Sequence, residues 1–537
     1  MKKAFTLILA LLIILSCLVA GPMAAAAADA APEEGQALVV SGEVAPNKVK
    51  SDETLNVVLP EEPATLIGSK QAGTYALPIT NLLLDMPFKY NLETGEIEPY
   101  LFTGYEWVDD AHTKLKCTIR QGVKATDGSE FTANDVLFSF NEYHDFEGDW
   151  FTPLVDFENT EVVDDYTIII GCASGNPTFA NALSNRGNVY MIDESSYLAS
   201  GGRDNTTNPQ YGTGKYRFVE WIPGQSILLE RNEEHWDTEN VPYYKYIKFT
   251  FVPDAATRVM NIMSGSADVA LAINIGQAAE LVGNDKCAVT FVSTQDCNRF
   301  FMYAGEGHPT ADKRVREAIR LALNTELLNQ VHTSGIAPIE PFYVTSESKY
   351  YYDPTDGAGV EFNPEKAKEL LAEAGYADGL VINGIAFPQN AAIMTAAQAM
   401  LKEVGITLDF TTPDVPTFLE MSKSGNFDLL FTELANSCKF FRDANVFTVI
   451  EPGAVAPGNP NIDDPDFLTT VVTAYSSLDE DEAVQAIKDI VTYLYDGAYM
   501  IGMGRSLNAV AHNPQLEGFY NGTGTSVDLS LVRPIGE

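Results

Sequence analysis

The residues best suited to metal or acid–base chemistry are the six histidines, His112, His144, His235, His308, His332 and His512. They are scattered, and no HxH or HExxH spacing brings two imidazoles onto one ion. No GxSxG elbow presents a nucleophilic serine. Gly212-Thr-Gly-Lys215 has the look of a phosphate loop, but Pro209 stands where its first glycine belongs and Tyr216 where a magnesium-binding hydroxyl would follow. Asp463-Asp464-Pro465-Asp466 lacks the glycine and glutamate of a calcium loop and reads as a solvated turn. The expectation is a protein with no catalytic group, no metal site and no cofactor. Cys117, Cys172, Cys287, Cys297 and Cys438 are too widely spaced for a zinc ribbon or a CxxC redox pair. Outside the cytoplasm an odd count leaves at least one of them unpaired.

The elements that would position side chains are well signalled. Lys114 to Ile119 alternates, putting Leu115, Cys117 and Ile119 on one face, so it is predicted as a half-buried strand with Cys117 in a core. Tyr166–Cys172 and Ser226–Glu230 read the same way. Thr132-Ala-Asn-Asp135 is a capping box opening a helix. Apolar residues at helical spacing fill the stretch from Asp312 to Val331. Asn363-Pro364 starts another helix, which Gly375 ends, and Val484, Ile487, Val491 and Leu494 mark one more before Gly497. Strands and helices intermix, which predicts a mixed α/β or α+β fold.

Met1-Lys2-Lys3, the uncharged run Ala4–Ala20, Gly21-Pro22 and the alanines at 24–28 make a secretory signal over residues 1–28. Ile14-Leu15-Ser16-Cys17 also resembles a lipoprotein box, so cleavage near Ala28-Asp29 and lipidation of Cys17 both stay open. Either route exports the protein. Residues 29–51, rich in Ala, Glu, Pro and Gly, read as a flexible leader. The 537-residue chain carries 34 basic against 74 acidic residues, a net charge of −40. Such a field repels phosphate backbones and excludes nucleic acid as a partner.

Three segments together resemble the peptide/nickel class of extracellular solute-binding proteins of ABC importers. Tyr105-Glu-Trp-Val-Asp-Asp leads into a strand ending Arg120-Gln-Gly-Val-Lys124, an Asp127-Gly128 turn and the Phe131-Thr-Ala-Asn-Asp-Val136 helix start. Gly212-Thr-Gly-Lys-Tyr-Arg-Phe-Val-Glu-Trp221 runs on to Glu230-Arg-Asn232 and Trp236. Asp312-Lys-Arg-Val-Arg-Glu-Ala-Ile319 precedes Gly335-Ile-Ala-Pro338 and the Asn363–Gly375 helix. The resemblance implies a two-lobed periplasmic-binding-protein-like fold with a hinge and an extra domain packed on lobe one. Lobe one would comprise 52–92, 205–292 and 500–537, the inserted domain 93–204 and lobe two 293–499. It also implies a monomeric receptor that closes on a small solute, a peptide above all, and delivers it to a membrane permease with cytoplasmic ATPases.

In oligopeptide-binding members two cysteines of lobe two pair, and a Trp-Cys-x-Asp stretch supplies a carboxylate to the peptide amine. Cys297 and Cys438 match the cysteine positions, which implies a disulfide between them. Ser437 replaces the tryptophan and Phe440 the aspartate. Without that carboxylate the chain has lost the usual partner of a free N-terminus, and Asp443 or Glu433 would have to substitute. Phe440 and Phe441 are then candidate cleft-wall aromatics, with Arg442 and Asp443 near the entrance. The same fold could hold a sugar, opine, metal chelate or haem, and an enzyme or adhesin on it is a more distant alternative.

Overall fold

The computed structural model describes residues 38–40, 44–66, 75–91, 96–144, 151–173, 175, 177–184, 189–204, 208–342, 344, 346, 350–434, 460–521 and 526–536. These belong to one compact unit, Ala37–Glu537. Local signals in the chain set its elements. Thr132 donates its backbone N–H to Asp135 Oδ2 at 2.7 Å and so opens the helix Ala133–His144. Asn363 accepts from the N–H of Lys366 at the head of Pro364–Glu373, and Gly375, at φ +94°, ends the turn that follows. The aspartates predicted as a solvated turn include a cap, since Asp464 accepts from the N–H groups of Asp466 and Phe467 and starts Pro465–Ser476. The stretch from Asp312 to Val331 is two helices rather than one run. Lys313–Ala322 stops at Leu323, and the Asn324 side chain accepts from Leu327 N to begin Thr325–Thr333.

An eleven-stranded sheet runs through both lobes. Its path is Ile406–Thr411, Leu380–Ala386, Leu429–Leu434, Ala288–Met302, Met500–His512, Val269–Ile273, Thr54–Leu59, Tyr246–Phe251, Ser226–Arg231 and Tyr216–Ile222, with Leu38–Val40 paired beside Ala288–Met302. The strands Ala288–Met302 and Met500–His512 are long and antiparallel, from Ala288 opposite His512 to Phe301 opposite Met500. Among the described strands, these two carry the chain from the core of one lobe to that of the other. At one end Val510 joins the lobe-one core with Leu55, Val57 and Phe249. At the other, Phe300, Met302, Ile501 and Met503 join the lobe-two core with Ile319, Ile382 and Leu408. Their pairing slips between Ser293 and Cys297, midway along, where an irregular ladder bends most easily. The boundaries expected at 293 and 500 both fall on this strand pair.

A separate four-stranded antiparallel sheet, ordered Phe102–Trp107, Lys114–Ile119, Thr167–Cys172 and Val155–Asp164, lies within the stretch expected as the inserted segment. It has its own core of Leu115, Cys117, Phe131, Phe140 and Ile168. The predicted leader is not free where it is described beyond residue 43. Asn47, buried, donates to Val241 O and accepts the Val241 N–H through its own carbonyl, while Ala45 O and Ser51 O accept from Arg533 and Arg231. These paired backbone groups hold residues 44–51 on lobe one.

Candidate functional site: the gap between the lobes

Sheet register shows where strand ends from the two lobes converge. Leu429–Leu434 runs antiparallel to the first crossing strand, with Leu429 opposite Met302 and Leu434 opposite Cys297. Its carboxyl end therefore points at the slip in the strand pair. Leu380–Ala386 and Ile406–Thr411 run parallel to it and end on the same side. In lobe one, Val269 pairs with His512 and Ile273 with Ala509, so this strand also runs toward the slip. Thr54–Leu59 and Tyr246–Phe251 are parallel to it. Carboxyl ends of parallel strands from both lobes thus confront each other across two crossing strands. In open α/β sheets such ends are where ligands bind.

Each lobe carries a buried polar side chain beside these strand ends. In lobe one, Arg258 donates to the carbonyls of Val252 and Pro253 (2.7 Å each), Leu271 (3.2 Å) and Ala272 (2.8 Å), tying together the ends of two strands. Ala272 is exposed there in the left-handed region, at φ +55°, a strained setting for a residue with a Cβ. In lobe two, Phe387 packs on Phe418 with ring centroids 4.0 Å apart. The nearby Asn390 is buried, and its Nδ2 has no hydrogen-bond partner among the described residues.

At the hinge, Arg505 Nη2 donates to Glu340 Oε1 at 2.5 Å, with side-chain exposures of 7% and 2%. Glu340 also accepts from the backbone N and Oγ of Ser346, and Pro338 O accepts from the Arg505 N–H. A charge pair this deep is tolerated because each partner is charged, close and further hydrogen-bonded. Gly502 and Gly504 let the 338–341 backbone approach, since a Cβ on Gly502 would stand 2.2 Å from Glu340 O. Ile336 and Ala337 pack among lobe-one residues Val58, Ile273 and Phe291. The Gly335–Pro338 motif is therefore a strap across the hinge.

Among the sequence-derived candidates, Glu433 is placed by its backbone opposite Asn298, one residue from the cleft end of its strand. Cys297 is buried on the first crossing strand, opposite Leu434 and Arg505. Phe440, Phe441, Arg442, Asp443 and Cys438 lie outside the described residues. Cys117, Cys172 and Cys287 are buried thiols outside any disulfide, and burial pushes Cys172 up to about 12. Arg258, Glu340, Asn390 and Arg505 escaped the sequence reading. The one available signal was a lone arginine inside the apolar run Met500–His512.

The model of the bacterial extracellular solute-binding proteins, family 5 Middle, matches residues 96–447. The chain belongs to that family. Among relatives of this family-5 member, the glutathione-binding protein GsiB of Pectobacterium atrosepticum is 29% identical over 305 residues, 55% of this chain and 57% of its own length. Heme-binding protein A of Haemophilus influenzae is 27% identical over 349 residues, 59% of this chain and 60% of its own length. The matched region thus spans under two thirds of either relative. The fold is shared much further. NikA from Brucella suis, in complex with Fe(III)-EDTA, superposes with a TM-score of 0.79 at 18% identity, covering 90% of this chain and 100% of its own. A peptide-binding protein AppA from Clostridium difficile gives 0.77 at 19%, with the same coverage. The mixed α/β, two-lobed architecture predicted above is the one found.

Proposed function

We propose that this family-5 protein is the solute receptor of an ABC importer, taking a peptide into the gap between its lobes and passing it to a membrane permease powered by cytoplasmic ATPases. The observation that carries the reading is the opposition of strand carboxyl ends around two crossing strands, which places a cleft at a hinge. Relatives named for glutathione, oligopeptides and murein peptides favour a peptide. A non-peptide solute is the second reading, supported by the relative named for heme and by Phe440 in place of the amine-binding aspartate. Nothing in the reading requires catalysis, and the receptor acts as a monomer. Phe440, Phe441, Arg442, Asp443 and Glu433 are the proposed lobe-two wall. Export follows from the 1–28 signal, with Cys17 as a lipid anchor if its box is used. No helix among the described residues is long and apolar enough to cross a membrane.

The test is scattering and calorimetry with matched free and N-acetylated tripeptides. Saturation should shrink the radius of gyration, and peptide at about 100 times its dissociation constant should add about 2.7 kcal/mol of stability. The free peptide should hold less than about a tenfold advantage, since the charge-assisted bond worth about 1.5–3 kcal/mol is missing. An unchanged radius at saturation rejects the hinged receptor, while a larger advantage assigns the amine to Asp443 or Glu433.

Cys297 and Cys438 are proposed as a disulfide. Leu434 is opposite Cys297, and Cys438 follows four residues on, within about 14 Å of extended chain. Closing that long loop should stabilise lobe two by about 3–5 kcal/mol. Peptide mapping without reductant decides it, and recovery of either residue as an alkylated thiol rejects the pair.

A further inference from the structure

Lobe one and the inserted segment enclose a cavity of about 460 Å³ that contains no residue of lobe two. The volume is ordinary for a small-molecule site. Its rim carries the exposed Pro46, Pro99 and Glu239, and its floor the buried Asp85, Lys215 and Ser530.

Lys215 is the unusual member. It is 6% exposed, and its nearest carboxylate oxygen, Asp237 Oδ2, stands 3.9 Å away, beyond hydrogen-bond range. No other acceptor meets its ammonium among the described residues. The loop that presents it is the Gly212-Thr-Gly-Lys215 stretch rejected above as a phosphate loop. Its glycines serve close packing instead, because a Cβ on Gly212 would lie 1.9 Å from Leu83 O and one on Gly214 2.4 Å from Leu83 C. Burial, and then the neighbouring Lys89, hold Lys215 down to about 8. Two more cations line the same space without a carboxylate partner among the described residues. Arg120 lies 4.1 Å over the Trp236 ring and donates its Nε–H to Tyr100 O, while Lys89 lies 4.6 Å over the Tyr100 ring.

The acids of the cavity are already engaged. Asp85 accepts from Tyr100 (2.9 Å), Thr213 (3.0 Å) and Trp236 (3.2 Å) and faces His235 Nε2 at 3.5 Å. Asp237 accepts from the backbone and side chain of Asn240. Glu98 accepts from Asn91, Asp528 from Ser530 N, and Glu239 pairs with Lys48. Ser530 Oγ, buried on the floor, has no partner among the described residues. The cavity thus sets three cations among five carboxylates, and the buried donors left unfilled there among the described residues are those of Lys215 and Ser530.

We propose that this cavity is a second binding site, taking a small anionic solute whose carboxylate or phosphate rests on Lys215, with Arg120 and Lys89 around it. The site is separate from the interlobe gap, so it does not rest on the receptor reading. Calorimetry of the purified protein in a buffer of low anion content tests it, with succinate in one arm and inorganic phosphate in the other. Saturable binding is expected in one arm and identifies the anion as organic acid or phosphate. Lys215→Met should weaken it about tenfold or more, the loss of one charge-assisted contact, while Lys215→Arg retains most of it. Phe440→Ala, on the opposite lobe's proposed cleft wall, should leave it unchanged. No saturable heat in either arm at millimolar anion, or a Lys215→Met affinity within twofold of the parent, overturns the proposal. So does a Lys215→Arg affinity as weak as that of Lys215→Met.

Discussion

The hinge and the lobe-one cavity each bury a cation, and they treat it in opposite ways. At the hinge, Arg505 meets Glu340 at 2.5 Å, and Ser346 donates two further hydrogen bonds to the carboxylate. In the cavity, Lys215 is equally buried but stops 3.9 Å short of Asp237. A buried charge with its counter-charge in place is finished, and fixes the position of the elements that carry it. One without a hydrogen-bonded partner has a solvation cost unmet by the protein, and something that binds can meet it. The first arrangement holds Pro338 and Glu340 on a crossing strand. The second leaves a site open.

The largest effect should come from breaking the hinge pair on one side. Glu340→Ala leaves Arg505 charged, buried and without its carboxylate, and should cost about 3–5 kcal/mol in urea unfolding. Glu340→Met with Arg505→Leu removes both charges and should recover most of the loss, because no orphan remains. A single substitution that costs under about 1 kcal/mol would show that water reaches Arg505, and the contrast with Lys215 would collapse.

The parts of the molecule that were legible in the sequence are those with a local cause. The alternation at 114–119 correctly put Cys117 in a core, and the boxes at Thr132 and Asn363 opened helices where expected. The break at Asn324 was missed because the apolar spacing of the two helices continues across it, and only the capping chemistry differs. The crossing strand Met500–His512 has no period to read. It is buried on nearly every residue, so both faces demand apolar side chains. Arg505 and Glu340 stand 165 positions apart, and no local pattern joins them. Lys215 was visible but sat inside a motif that identifies the fold, and its side chain's place in the cavity beside Asp237 comes from tertiary packing alone. Of the cleft, the family resemblance implied two lobes, while the facing of strand ends came from register alone.

The smallest effect, and the one of opposite sign, belongs to Lys215→Met. Methionine fills similar space without an ammonium to desolvate, so in anion-free buffer the variant should be more stable than the parent at pH 7 by at most about 3 kcal/mol, the order of a fall from 10.5 to about 8 at about 1.4 kcal/mol per unit. The pH dependence fixes the cause. Above about pH 10.5 lysine is neutral in both folded and unfolded chains, and the parent carries no penalty. As pH falls toward 8, the unfolded chain takes up a proton that the folded one does not, so the parent loses stability across that window. Below 8 both forms are protonated and the deficit is constant. The difference between parent and variant should thus be level up to pH 8 and shrink between 8 and 10.5. Adding the anion that fills the cavity should reverse it, since only the parent gains from binding. A difference that ignores pH through this window would mean that Lys215 is already neutralised by Asp237, and the two buried cations would then be alike.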